Sequence, residues 1–179
     1  MPYSDPTFDK QVENFILEHK FRNYIDIGAG AGKYGKMIKK ILPKSRVVAI
    51  EANASYIKKF KLNSIYDRVY CSRIETFFDN KPDFKTDIAI IGDCLEHLKK
   101  SDGEDLINYL MYRSRYILIV FPSKYIQYSW RGHKLEAHMS VWSKYDFLAF
   151  EHHYYTKKFM NLVIIRGYIG DPESSYPQT

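Results

Sequence analysis

Cysteine is nearly absent. Cys71 and Cys94 are the only two, too few for a disulfide framework or a four-cysteine zinc site, and such usage fits a reducing compartment. No apolar run approaches the roughly 20 residues that a membrane-spanning helix requires; residues 116–121 and 162–165 are strand-sized. The opening residues, Met1-Pro2-Tyr3-Ser4-Asp5, lack a basic region followed by an apolar stretch, so a secretory signal is not expected and a cytoplasmic protein is. Nine Gly and seven Pro exclude a collagen-like or linker-dominated chain. Self-similarity at solenoid or propeller periods is missing too.

What is present is ordinary globular material. Hydrophobic residues make up 45% and charged residues 27% of 179, enough for the core of one domain. One domain is expected over residues 1–170, followed by a loose polar tail at 171–179. Lys and Arg outnumber Asp and Glu by 27 to 21, a net charge of +6, which favours an anionic partner such as nucleic acid. The lysines are dispersed in pairs such as Lys39-Lys40 and Lys157-Lys158 rather than massed in one tract, so a solvated surface accounts for them as well.

Periodicity alternates between strand and helix. Asp5-Pro6 reads as an N-cap with proline in the first turn, ahead of Phe8, Val12, Phe15 and Ile16 at helical spacing. Strands are predicted at residues 21–27, 46–50, 68–71, 88–91 and 116–121, with helices at 33–42 and 53–62, the latter capped by Asn53. Ser101-Asp102-Gly103-Glu104 has the form of a capping box opening a helix to about Ser114. A further helix is predicted at 143–151. A terminal antiparallel hairpin is predicted at 153–159 and 162–169, turning at Met160-Asn161. Such alternation implies an α/β fold around a mainly parallel sheet with right-handed crossovers.

The densest chemistry follows the first strand. In Asp26-Ile27-Gly28-Ala29-Gly30-Ala31-Gly32, glycine at every second position lets the backbone turn sharply and approach a ligand. The helix beginning near Lys33 then points free N–H groups at it. A P-loop is excluded, because Tyr34 follows Gly32-Lys33 where a magnesium-binding hydroxyl belongs and Ile27 holds the first glycine position. A dinucleotide fingerprint fits Gly28 and Gly30 but meets Lys33 where a small residue is needed. The second strand ends in Ile50-Glu51-Ala52, and Glu51 lies 23 positions after Gly28, a spacing suited to a carboxylate that receives both hydroxyls of a ribose.

Together these segments resemble the class I S-adenosylmethionine-dependent methyltransferases, over about residues 21–169. Asp26, Gly28, Ala29, Gly30 and Gly32 match the family's first motif, which holds the methionine part of S-adenosyl-L-methionine. Glu51 matches the ribose-binding acid, with Ala52 beside the adenine. Asp93-Cys94-Leu95-Glu96-His97-Leu98 matches the fourth-strand motif, which brings Asp93 and Leu95 to the cofactor. The resemblance implies a Rossmann-like fold, a seven-stranded sheet of order 3-2-1-4-5-7-6 ending in an antiparallel hairpin. Two positions depart from the pattern. Cys71-Ser72-Arg73-Ile74 stands where the family often has an adenine-reading acid, leaving Ser72 and Ile74 as substitutes, and Pro122-Ser123 stands where many relatives have Pro-Asn.

Methyl transfer to a hydroxyl is helped by a general base, and histidine is the first candidate. His97 lies just past the fourth strand. The segment from Gly132 through His133, His138, Ser140 and Trp142 is similar to a His-x-Ser-x-Trp stretch of small methyltransferases of glycan or envelope biosynthesis. His138 is therefore the preferred base, with His97 next. His97, His133, His138 and Asp93 include metal-binding types, but no ligand pattern such as His-Glu-x-x-His occurs, and no metal is assigned. The leading expectation is O-methylation of a small-molecule or saccharide acceptor. A nucleic-acid methyltransferase, supported by the charge and sixteen tyrosines, is the alternative, and a non-catalytic cofactor-binding scaffold the third. The aromatics of residues 125–130 would close over a substrate or a partner.

Overall fold

The computed structural model describes residues 3–80, 83–123 and 137–170. His133, the aromatics of 125–130 and the tail at 171–179 lie outside the described residues. Seven strands form one sheet of order β3-β2-β1-β4-β5-β7-β6, the order the resemblance implies. They are β1 (Asn23–Ile27), β2 (Arg46–Glu51), β3 (Arg68–Cys71), β4 (Ile88–Gly92), β5 (Tyr116–Pro122), β6 (His152–Lys157) and β7 (Met160–Arg166). The first five are parallel neighbours, while β7 runs antiparallel to both β5 and β6. The central strands are apolar on both faces because helices cover both. One layer packs Phe8, Val12, Ile16, Tyr34 and Ile38 against the sheet; the other packs Phe77, Leu106, Ile107, Leu110, Trp142 and Phe147.

The helices are α1 (Asp9–His19), α2 (Lys33–Ile41), α3 (Ala54–Lys59), α4 (Ile74–Asp79) and α5 (Lys100–Met111). Several boundaries differ from the sequence reading. Asp5 does not cap α1, which starts at Asp9. Its side chain instead accepts from Thr7 N (2.8 Å) in a local turn, and its own N–H donates to Asp93 Oδ2 (2.8 Å). The capping box at Ser101 does not form, since α5 begins at Lys100, two residues before the start that box implies, and Ser101 Oγ donates to Asp102 Oδ1. The helix predicted at 143–151 is a four-residue 3-10 turn, Lys144–Phe147, closed by a capping box between Ser143 and Asp146. The hairpin turns at Lys158-Phe159, two residues before the predicted site, with Lys158 in the left-handed region (φ 57°). Asn53 does cap α3, accepting from Ser55 N at 3.0 Å.

Candidate functional site

A cleft opens where β1, β2 and β4 end, the position at which open α/β sheets bind ligands. Gly28 and Gly30 form one wall, Glu51, Ala52, Asn53 and Tyr56 a second, and Arg73 and Ile74 a third; Asp93, Cys94 and His97 close it.

The glycine loop is stitched to β2. Gly28 N and Ala29 N both donate to Ile50 O, at 2.9 and 3.2 Å. Gly28 takes φ 74°, and a Cβ there would lie 2.3 Å from Cys94 Sγ, so both conformation and space demand glycine. Beside the loop, at the end of β2, Glu51 is buried. Its Oε2 accepts from Gly30 N at 2.8 Å and its Oε1 from Asn53 N at 2.8 Å. These two bonds fix the orientation of the carboxylate at the cleft wall.

Asp26 plays a different part. It is buried beneath the loop and accepts from the Tyr66 hydroxyl at 2.5 Å, and that hydroxyl in turn accepts from Gly35 N at 3.3 Å. Burial pushes the Asp26 carboxyl up to about 6, against the pull of the Tyr66 hydrogen bond. Asp26 therefore ties β1 to the first turn of α2 rather than lining the cleft. Asp93 sits in the left-handed region (φ 49°), its N–H donating to Val120 O at 2.8 Å. Burial raises its carboxyl, opposed by the Asp5 N–H and by Lys33.

An N-terminal strap crosses this end of the sheet. Ser4 Oγ donates to Gly92 O (3.3 Å), and Lys33 Nζ reaches both Asp5 O (2.8 Å) and Asp9 Oδ1 (2.6 Å). Burial beside the loop, reinforced by Glu96, keeps the Cys94 thiol protonated.

The histidines converge from two segments. His97 belongs to the 3-10 turn Leu95–His97 after β4, and His138 to the stretch leading into Trp142. Their rings meet edge to face with centroids 4.9 Å apart. Trp142 explains the placement. Its Nε1 donates to Ser140 Oγ (2.7 Å), its ring packs into the space left by Gly103, and Lys100 Nζ sits 3.6 Å from its centroid. With Met139 N and Ser140 N both donating to Glu96 O, at 2.7 and 3.1 Å, His138 is delivered to His97.

The residues marked in the sequence thus separate into two sets. Gly28, Gly30, Glu51, Ala52, Ile74, Asp93 and His97 line the cleft. Asp26, Ala29, Gly32, Ser72 and Leu95 do not: Leu95 is fully buried in the core, and Ser72 N donates to Glu51 O at 3.2 Å while its Oγ turns to Arg73 O. His138 touches the cleft through His97. Tyr56, Arg73, Tyr66 and the strap were not marked. Tyr56 and Arg73 sit on segments flanking marked positions, which is the one local signal they carry.

This architecture is the fold of the class I S-adenosylmethionine-dependent methyltransferases. A solved O-methyltransferase family protein from Burkholderia thailandensis superposes with a TM-score of 0.65 at 11% identity, covering 92% of this chain and 57% of that one. The chain thus spans little more than half the length of that protein. The plantazolicin methyltransferase BpumL in complex with SAH gives 0.66 at 13% identity over 91% and 86%. Magnesium protoporphyrin IX methyltransferase from Synechocystis PCC 6803 with bound SAM gives 0.64 at 11% over 88% and 77%. No protein-family model and no curated protein matches the sequence.

Proposed function

We propose that this chain is an S-adenosyl-L-methionine-dependent methyltransferase that acts on an oxygen of a small-molecule or saccharide acceptor. The observation that carries the reading is the Glu51 carboxylate held against the Gly28–Gly30 bend by the Gly30 N–H. A buried carboxylate and a close backbone approach thus stand side by side in one cleft, which supports reading Glu51 as the ribose-binding acid. Related folds crystallised with SAH or SAM bound support the choice of ligand.

When bound, the donor supplies a sulfonium-activated methyl group, so the protein's work is positioning and exclusion of water. Glu51 would receive the ribose hydroxyls. Ile74 and Tyr56 offer apolar surface to the adenine, and Asp93 offers a carboxylate to the donor's ammonium. The acceptor oxygen attacks the methyl carbon as the carbon–sulfur bond breaks, and the hydroxyl proton must leave. His138, with His97 against it, is the group we assign to receive that proton. Met139 and Val141 remain exposed beside it, an apolar shelf on which an acceptor can rest.

Calorimetry with S-adenosylmethionine and its demethylated product, on the wild type and on Glu51→Ala, tests the first half. Saturable binding that weakens at least tenfold in the variant is expected; wild-type binding equal to that of the variant rejects the reading. An acceptor screen then separates an enzyme from a scaffold. Salt-sensitive RNA binding with methylation of the RNA would select the nucleic-acid alternative instead.

A further inference from the structure

The histidine pair has a third member. Among the described residues, Glu96, His97 and His138 each bring one potential ligand atom within 4.8 Å of the other two. We propose that these three side chains bind one divalent first-row transition metal ion at the rim of the cleft.

The donor set is two imidazole nitrogens and one carboxylate oxygen. That combination suits manganese, iron, cobalt or zinc better than magnesium or calcium, which prefer all-oxygen sites. Ligand atoms about 2.1 Å from a shared ion stand roughly 3–3.4 Å apart, so binding would draw the three atoms closer together than the 4.8 Å that bounds them now.

The protonation pattern is in place as well. His97 Nδ1 lies 3.1 Å from Ala137 O. A carbonyl only accepts, so Nδ1 carries a hydrogen, and Nε2 is the atom that would ligate the ion. A backbone carbonyl orienting the far nitrogen in this way is the usual support of a metal-ligating histidine. Glu96 is 4% exposed, and a carboxylate so buried is stabilised by a nearby cation. The scaffold is rigid: Glu96 O holds Met139 N and Ser140 N, and Trp142 anchors the same segment to the core. The ligand that comes from 41 positions away (138 minus 97) is therefore fixed before any ion arrives.

Three protein ligands would leave coordination positions open on the ion, and since His97 lines the cleft, an acceptor in the cleft could take one of them. An acceptor hydroxyl held there would be more acidic and would give its proton to solvent; as its oxygen bonds the methyl carbon, the carbon–sulfur bond would break and release the demethylated donor. With the ion bound, the metal-held hydroxyl would take over the role of losing the proton, and the assignment of His138 as base describes the metal-free chain. The existence of the site stands on geometry alone; its role in activating the acceptor rests on the methyl-transfer reading.

The test uses the full chain stripped with a chelator and titrated with Co²⁺, read by its visible d–d absorption, and with Mn²⁺, read by loss of the free-ion EPR signal. One ion per chain is expected, with affinity reduced about tenfold or more in His138→Ala, His97→Ala and Glu96→Gln. His153→Ala, which removes an exposed histidine on β6, should bind as the wild type does. Circular dichroism and donor calorimetry on metal-free His138→Ala establish that it is folded. No saturable binding, or binding that all three ligand variants leave unchanged, overturns the proposal. Metal binding without donor binding would reject the methyltransferase reading and leave the site standing.

Discussion

Asp26 stands two positions before Gly28, yet its carboxylate faces away from the cleft into a buried bond with Tyr66. The cost of that burial has a pH signature. The carboxyl moves from an ordinary 3.8 to about 6 in the folded protein, so the native state binds its proton more tightly than the unfolded chain does. Stability from this group is therefore full below about pH 4 and is lost as pH rises through 6. Asp26→Asn keeps an acceptor for the Tyr66 hydroxyl and never ionises. Its melting temperature relative to the wild type should rise between about pH 4 and pH 7; a constant difference would show that Asp26 is ionised throughout. His138 makes a separate claim. It is not among the residues lining the cleft, so His138→Ala should cut turnover by about 10²-fold or more with donor affinity little changed. Turnover equal to the wild type would remove it from the chemistry.

Among the elements, the glycine bend tolerates little change. Gly28→Ala forces an L-residue into φ 74° and drives a methyl group against Cys94 Sγ. The two effects together should cost about 2–4 kcal/mol and abolish donor binding. Adding Cys94→Ala removes the contact but not the backbone strain, so denaturant melts should recover about half the loss. Full recovery would mean that sterics alone select glycine here. Elements long enough to show a period, such as α2 with Tyr34, Met37 and Ile38 buried, were legible in the sequence. The six-residue α4 was not, because a helix under two turns shows no full amphipathic repeat and its adjacent Phe77 and Phe78 are both buried. Ser101 misled for a related reason: its spacing to Glu104 satisfies the capping pattern, but α5 starts at Lys100 and places it inside the first turn.

Over the whole molecule, a clamp ties the strands together at the end of the sheet opposite the cleft. Asp87 Oδ1 accepts from Arg115 Nε (2.8 Å), while Oδ2 accepts from Asn23 N (2.9 Å), Asn23 Nδ2 (3.1 Å) and Arg22 N (3.2 Å). One side chain thus joins the starts of β1, β4 and β5. Partial burial works against its charge, but the bonds from Arg115 and Asn23 outweigh it and hold the carboxyl below its usual range. Its stabilising contribution is present above the ordinary carboxylate range and lost as pH falls toward the depressed value. Asp87→Ala should cost about 2 kcal/mol near neutrality and flatten the acid limb of the stability curve. An unchanged urea midpoint would show the clamp to be redundant. Among the described residues no helix is long and apolar enough to cross a membrane.

The sequence by itself determined the strand–helix alternation, the bend at Gly28 and the acid at Glu51, because side-chain period and backbone freedom are local properties. It also marked His138, Ser140 and Trp142 as a unit without revealing what the unit does. Only the tertiary structure decided that Asp26 belongs to Tyr66, that Asp5 meets Asp93 from 88 positions away, and that His97 meets Ala137 from 40. Contacts of that separation are set by how the sheet closes and which faces its helices cover, and no short-range pattern carries them.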